Sequence, residues 1–408
     1  MASSSGGLLS VEELRDRILA DIDPLPSVQQ PLLDALGLAS AEDVHAEVSL
    51  PGFDNSAMDG YAVRYADVAS ASPDAPVHLP VVGEIGAGQA GLLALPPGTA
   101  AKIMTGAPVP SGADTVVPYE WTDRGVAHVR ITRAPAERQH VRPAGEDVQA
   151  GDLVVAEGTI LGPRHLGLLA SVGRATIASR PRPRVVVMST GTELRDPGRP
   201  LGHDSIYDGN SFLLAAAARR AGAIVYRVGI VPDEPKLFLE ALEDQLVRAD
   251  LVVTSGGVSQ GDFDVVKAAL APQGVWFGGV AMQPGKPQGY GRVGEDRVPI
   301  FTLPGNPVSS YVSFEQFVLP ALRRLMGMRP EVRPTVRGRL TGPISSPAGR
   351  RQFLRGEIHD GAVTPVGGPG SHLIGDLAAA NCLVVVPEDA TSLAAGAEVD
   401  VLLLDQEF

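Results

Sequence analysis

The chain of 408 residues has one cysteine, two tryptophans and only 5% aromatic residues. A single thiol, Cys382, excludes an intrachain disulfide and any zinc or iron–sulfur site built from several cysteines. Positive charge is also scarce: 34 Lys and Arg face 47 Asp and Glu, a formal net charge of −13. Nucleic acids and anionic membrane surfaces call for a basic footprint, so neither is an expected partner. No apolar run approaches the ~18 residues of a membrane span. The start, Met1-Ala-Ser-Ser-Ser-Gly-Gly, lacks the basic and apolar regions of a signal peptide, and a cytoplasmic protein is expected. The histidines are scattered without metal-ligand spacing, and no nucleophile elbow supports a Ser–His–Asp triad.

Glycine and proline are plentiful instead, 47 and 35 residues. At that density long helices are interrupted repeatedly, which disfavours bundles and coiled coils. Residues Ser10 and Glu13 form a capping box ahead of an amphipathic run, and Leu32, Leu33 and Leu36 before Gly37 suggest a second helix. From 46 to 143, short apolar runs split by Gly and Pro indicate a small β domain. Helical character returns around Pro163-Arg-His-Leu-Gly-Leu-Leu-Ala. The expectation is a helical N-terminal domain, 8–45 and 144–180, carrying the β domain as an insertion. From 181 to 330 continuous apolar strands alternate with helices, the pattern of a doubly wound, mostly parallel α/β sheet. Short strands fill 331–408, a C-terminal β domain, where Cys382 reads as a buried strand residue. The fold class is α/β multidomain.

Open α/β sheets bind ligands beyond the carboxyl ends of their strands. Three such loops are rich in Gly and small hydroxyls: Val187 to Glu193, Thr254 to Asp264, and Leu303 to Ser310. They make Ser189, Thr190, Gly191, Ser255, Gly256, Gly257, Pro304, Gly305 and Asn306 candidate contacts to an anion, because glycine lets backbone N–H groups turn inward and hydroxyls add donors. Asn306 and Pro307 stand as N-cap and first residue of a helix whose positive end suits a phosphate. None of the loops matches the phosphate-loop or dinucleotide pattern. Glu193, Asp208, Asp233, Asp262 and Asp264 are hard oxygen donors suited to Mg²⁺, with Asp208 and Asp233 equally readable as N-caps. Lys286, on a loop stiffened by Pro and Gly, is a pre-oriented cation. Farther upstream, Phe53 to Ala62, Lys102 to Pro110 and Gly145-Glu-Asp147 have the composition of binding loops without a helical or strand period.

Taken in order, Phe-Asp-Asn-Ser-Ala-Met-Asp-Gly-Tyr-Ala, Met-Thr-Gly-Ala-Pro-Val-Pro, Ser-Thr-Gly-x-Glu-Leu, Ser-Gly-Gly-Val-Ser-x-Gly, Pro-Gly-Lys-Pro and Leu-Pro-Gly-Asn-Pro-Val-Ser resemble the molybdopterin molybdenumtransferase (MoeA / gephyrin E-domain) family. The resemblance spans about residues 8–404. It implies an elongated homodimer whose cleft joins the α/β and C-terminal domains of one subunit to the inserted domain of the other. It also implies adenylyl-molybdopterin and molybdate as substrates, Mg²⁺ as cofactor and AMP as product, with a molybdopterin adenylyltransferase as a further partner. By motif, Asp59, Thr105, Asp147, Glu193 and Asp264 fall at catalytic positions, Asp233 and Asp264 at metal positions, and Asp208 among the substrate contacts. Lys286, Arg350 and Ser371 fall at the oxyanion site, with Arg351 leaving the register of Arg350 open. One departure stands out: Gln283 occupies a position where members often carry lysine. Two alternatives remain, a gephyrin-like scaffold and a stand-alone molybdopterin adenylyltransferase, whose fold resembles the 181–330 region.

Overall fold

The computed structural model describes residues 7–88, 94–257, 264–406 and 408. Its centre is a six-stranded sheet in the order Ile224–Val231, Arg184–Thr190, Leu251–Ser255, Val298–Leu303, Pro287–Val293, Trp276–Gly279. The first four strands run parallel and the last two antiparallel. Continuous apolar strands fit a sheet buried on both faces. Val185 and Val187 face one core with Leu214, Val308 and Val312, while Val186 and Met188 face another with Phe238, Leu242 and Val266. The helices Asn210–Arg220 and Pro307–Ser313 therefore cover one side, and Pro235–Leu246 and Val265–Leu270 the other.

The N-terminal region departs from a simple helical domain. Helix Val11–Asp21 forms behind the expected capping box: the Ser10 N–H donates to Glu13 Oε2 at 2.7 Å, and the Glu13 N–H to Ser10 Oγ at 3.0 Å. Its buried Val11, Leu14 and Ile18 join the core of the α/β domain rather than that of their own neighbours in sequence. Ser10→Ala is expected to cost about 1 kcal/mol, read as faster amide exchange across this helix. The second helix expected before Gly37 is a run of turns. Only the few residues between Pro31 and Gly37 are available, too few to propagate a helix, and Leu33 is left 82% exposed. What closes this unit is strand pairing, Val28–Pro31 with Thr176–Ser179 and Val44–His45 with Leu153–Val155, beneath helix Pro163–Ser171.

The inserted β domain is a five-stranded sheet ordered Thr115–Pro118, Gly60–Val63, Ala100–Ile103, Val77–Ile85, His128–Ile131. In the C-terminal domain, strand Arg351–His359 pairs both with Ala362–Pro365 and with Cys382–Val386, which closes a barrel through Glu398–Leu403 and Val336–Leu340. The short strand Met282–Gln283 leaves the α/β domain to pair with Arg351 and Gln352 at the edge of this barrel. That one contact fixes the loop carrying Lys286 to both domains. Cys382 is fully buried, and desolvation pushes its thiol up to about 12, so it stays protonated and unreactive at neutral pH. Among the described residues, no helix is long and apolar enough to cross a membrane.

Candidate active site

The strand ends of the central sheet, the Gln283–Lys286 loop and the C-terminal domain enclose one cleft of about 540 Å³. Thr190, Gly191, Glu193 and Asp233 line it from the first two strands, Gly256, Gly257 and Asp264 from the third, and Pro304, Gly305 and Asn306 from the fourth. Lys286, Arg350 and Ser371 line it as well. Most of the residues singled out in the α/β and C-terminal regions thus meet in one place. Asp262 lies outside the described residues.

Glycine is required at two points of this wall. Gly256 and Gly257 have φ of +97° and +70°, and a Cβ on Gly257 would come 2.7 Å from Val266 Cγ2. The Gly256 N–H donates to the Leu303 carbonyl at 3.1 Å, so this part of the loop is tied to the neighbouring strand rather than open to a ligand. The expected cap at Asn306 is also different in detail. Its side chain makes no capping bond; it donates to Ser371 Oγ at 2.9 Å, and the Val308 N–H donates to the Ser371 carbonyl at 3.0 Å. Hence Asn306 joins the α/β domain to the C-terminal domain, and the helix end is partly occupied by protein.

The acidic residues separate by position. The Asp233 carboxylate accepts from the Thr192 N–H at 2.9 Å, while Glu234 holds the N-cap position of the following helix without a side-chain capping bond, so Asp233 is not an N-cap. Asp264 holds the N-cap position of Val265–Leu270 without a side-chain capping bond. Asp208 and its neighbours Ser189 and Ser255 are 1%, 1% and 3% exposed and lie behind the cleft wall. They do not line the cleft themselves, and their side chains lie against the loops that do.

On the cationic side, the Lys286 carbonyl accepts from the Val280 N–H at 2.8 Å, and Gln288 Nε2 donates to the Gly285 carbonyl and to Ser313 Oγ, each at 2.6 Å. Those bonds hold the loop while leaving the ammonium of Lys286 without an ion-pair partner among the described residues. The two adjacent arginines divide their roles: Arg350 lines the cleft, and Arg351 is bound to Glu12 and Glu388. Ser371 is carried on a loop whose carbonyls at Gly368 and Gly370 accept from Arg355, a guanidinium only 2% exposed. Desolvation lowers the pKa of Arg355, and Asp376 acts against that. Arg355, Gln288 and Asn210 were not evident as site residues. Their signal is a polar side chain inside an otherwise apolar strand or at a helix start, which many structural residues share.

Asp59, Thr105 and Asp147 lie on the upstream half of the chain and do not line this cleft. Asp59 Oδ1 accepts from the Thr105 N–H at 2.7 Å and from its Oγ1 at 2.8 Å. The backbone bond, then the hydroxyl, hold the Asp59 carboxyl below the ordinary carboxylate range. Asp59 and Thr105 therefore form one exposed unit, while Asp147 is exposed near Leu50, whose carbonyl accepts its N–H.

Comparison with known proteins places this geometry. The family model for the MoeA N-terminal region (domain I and II) matches residues 9–173, that for a probable molybdopterin binding domain matches 186–324, and that for the MoeA C-terminal region (domain IV) matches 337–404. Molybdopterin molybdenumtransferase 2 of Mycobacterium tuberculosis is 49% identical over 380 residues, covering 91% of this chain and 93% of that protein. Molybdopterin molybdenumtransferase of Haemophilus influenzae is 35% identical over 404 residues, covering 97% and 98%. The crystal structure of the molybdopterin biosynthesis MoeA protein from Pyrococcus horikoshii matches with a TM-score of 0.87 at 31% identity, covering 98% of this chain and all of that one. The chain belongs to the molybdopterin molybdenumtransferase family, transferases of molybdenum-cofactor biosynthesis.

Proposed function

We propose that the cleft transfers molybdenum from molybdate to adenylyl-molybdopterin with release of AMP, in a cytoplasmic homodimer. The observation that carries this reading is that one cleft holds glycine-rich strand ends, the cations Lys286 and Arg350, and the carboxylates Glu193, Asp233 and Asp264. Backbone and hydroxyl donors at the strand ends suit the phosphates of the pterin substrate, and the two cations suit a tetrahedral oxyanion. An oxygen nucleophile attacks the phosphoanhydride; the pterin keeps one phosphate and the other leaves as AMP. Glu193 or Asp264 orients that nucleophile, and Lys286, Arg350 and Ser371 keep molybdate beside the dithiolene.

The carboxylates also fit Mg²⁺. Asp233 and Asp264 line the same cleft as the glycine-rich strand ends, and Mg²⁺ takes one or two carboxylates and completes its shell with phosphate oxygens and water. Asp233 and Asp264 are the residues assigned to it. When bound, the ion would neutralise charge on the phosphoanhydride. Asp59 and Thr105, absent from the cleft of their own chain, are supplied in this reading by the second subunit. The pterin substrate is handed over by a molybdopterin adenylyltransferase.

With adenylyl-molybdopterin and Mg²⁺, AMP release from the full chain is expected to require molybdate and to stop when the metal is chelated. AMP release indifferent to molybdate would overturn the assignment.

A further inference from the structure

Loops built from glycine need something other than their own conformational preference to keep one shape. The sheet supplies that only as far as its last pairs, Thr190 opposite Val231, Ser189 opposite Ser255 and Ser255 opposite Leu303. Beyond these the Gly256 N–H bond to Leu303 is the final rung. Past it, the wall of the cleft is held from behind. Asn210, the first residue of helix Asn210–Arg220, directs its amide Nδ2 to Ser255 Oγ at 2.9 Å and to the Gly305 carbonyl at 2.6 Å. One amide nitrogen thereby ties together two loops that leave the sheet at different strands. Two residues earlier, Asp208 Oδ1 accepts from Ser189 Oγ at 3.2 Å and from the Ser211 N–H at 3.0 Å. Its second oxygen is buried without a hydrogen-bond partner among the described residues.

The geometry points to Asp208 and Asn210 as a positioning pair for the adenylyl-molybdopterin half of the cleft. The Asp-Gly-Asn turn reaches the ends of three strands, through Ser189, Ser255 and Gly305, and touches the loops of the cleft without lining it. The molybdate wall has supports of its own, the Gln288 bonds at Gly285 and the Arg355 bonds at Gly368 and Gly370. The Asn306 bond to Ser371 links the two walls, so the pair acts more strongly on one substrate than on the other. Asparagine is specific here because both hydrogens of its amide are used. Aspartate in its place offers no donor and sets a negative charge against the Gly305 carbonyl.

The division between the two substrates rests on the proposed reaction; the positioning itself does not. In Asn210→Asp, amide exchange in the full chain is expected to accelerate at Gly257 and around Asn306, and the half-saturating concentration of adenylyl-molybdopterin to rise about tenfold, since small misplacements of bound groups cost one to two orders of magnitude. The half-saturating concentration of molybdate is expected to stay within about twofold. A merely structural role would lower the active fraction and leave both half-saturations unchanged. Ser255→Ala, which removes one of the two acceptors, is expected to give the same selective pattern at smaller amplitude and serves if Asn210→Asp fails to fold. Unchanged exchange at these amides, or equal changes toward both substrates, would overturn the inference. Loss of molybdate-dependent AMP release in the unsubstituted chain would instead sink the proposed reaction and leave the exchange result standing.

Discussion

Lys286→Met is expected to raise the molybdate concentration for half-maximal AMP release about 30-fold, equivalent to about 2 kcal/mol, while leaving the thermal midpoint nearly unchanged. Two unit charges 4 Å apart attract by about 4 kcal/mol at an effective dielectric near 20. Lys286 is only partly buried, and screening by solvent takes the expectation to roughly half that. The effect should be this large because the loop is fixed independently of its charge. Val280 and Gln288 hold its backbone, and Met282–Gln283 docks on the barrel edge, so the ammonium need not be ordered when the anion arrives. For the same reason methionine, similar in length, should fold normally. An unchanged half-saturation would remove Lys286 from the oxyanion site and leave Arg350 as its cation.

Gln283 offers the reverse substitution. It lines the same cleft, and Gln283→Lys, which places a second ammonium there, is expected to lower the half-saturating molybdate concentration. A value indistinguishable from that of the unsubstituted chain would show that the amide already serves as a donor there.

The residues that could be recognised in advance are those whose chemistry is local. Gly256 and Gly257 advertise a backbone that no side chain tolerates, Ser10 and Glu13 a reciprocal cap, and Val185 to Met188 a strand buried on both faces; each is decided within a few residues of sequence. The C-terminal strands Val336–Leu340 and Arg351–His359 are harder to see because arginines interrupt their apolar pattern, and only barrel closure explains them. Leu32 to Leu36 has helical spacing, but the chain leaves it one turn between Pro31 and Gly37. The same limit governs the site. Thr190, Gly191, Lys286 and Asn306 could be named from composition, whereas the supports Asn210, Gln288 and Arg355 act on partners 95, 25 and 15 positions away and carry no local mark. Arg350 and Arg351 are indistinguishable by composition; pairing of Arg351 with Glu12 and Glu388 separates them.

Asp264→Asn is expected to reduce molybdate-dependent AMP release by two to three orders of magnitude, about 3 to 4 kcal/mol in the barrier, the size seen when one electrostatic group is removed from a preorganised site. Asparagine keeps the shape and removes the charge. Asp264 holds the N-cap position of helix Val265–Leu270 without a side-chain capping bond, so the comparison is read together with the thermal midpoint of the variant. Asp233→Asn is a less decisive companion, since its carboxylate also accepts from the Thr192 N–H and its replacement can shift the loop that carries Glu193. The dependence on Mg²⁺ then separates two roles for Asp264. If it holds the metal, the half-saturating Mg²⁺ concentration should rise and added metal should recover part of the rate. If it orients the nucleophile, the rate should stay low at every metal concentration. Turnover equal to that of the unsubstituted chain would exclude both roles and leave Glu193 as the carboxylate nearest the chemistry.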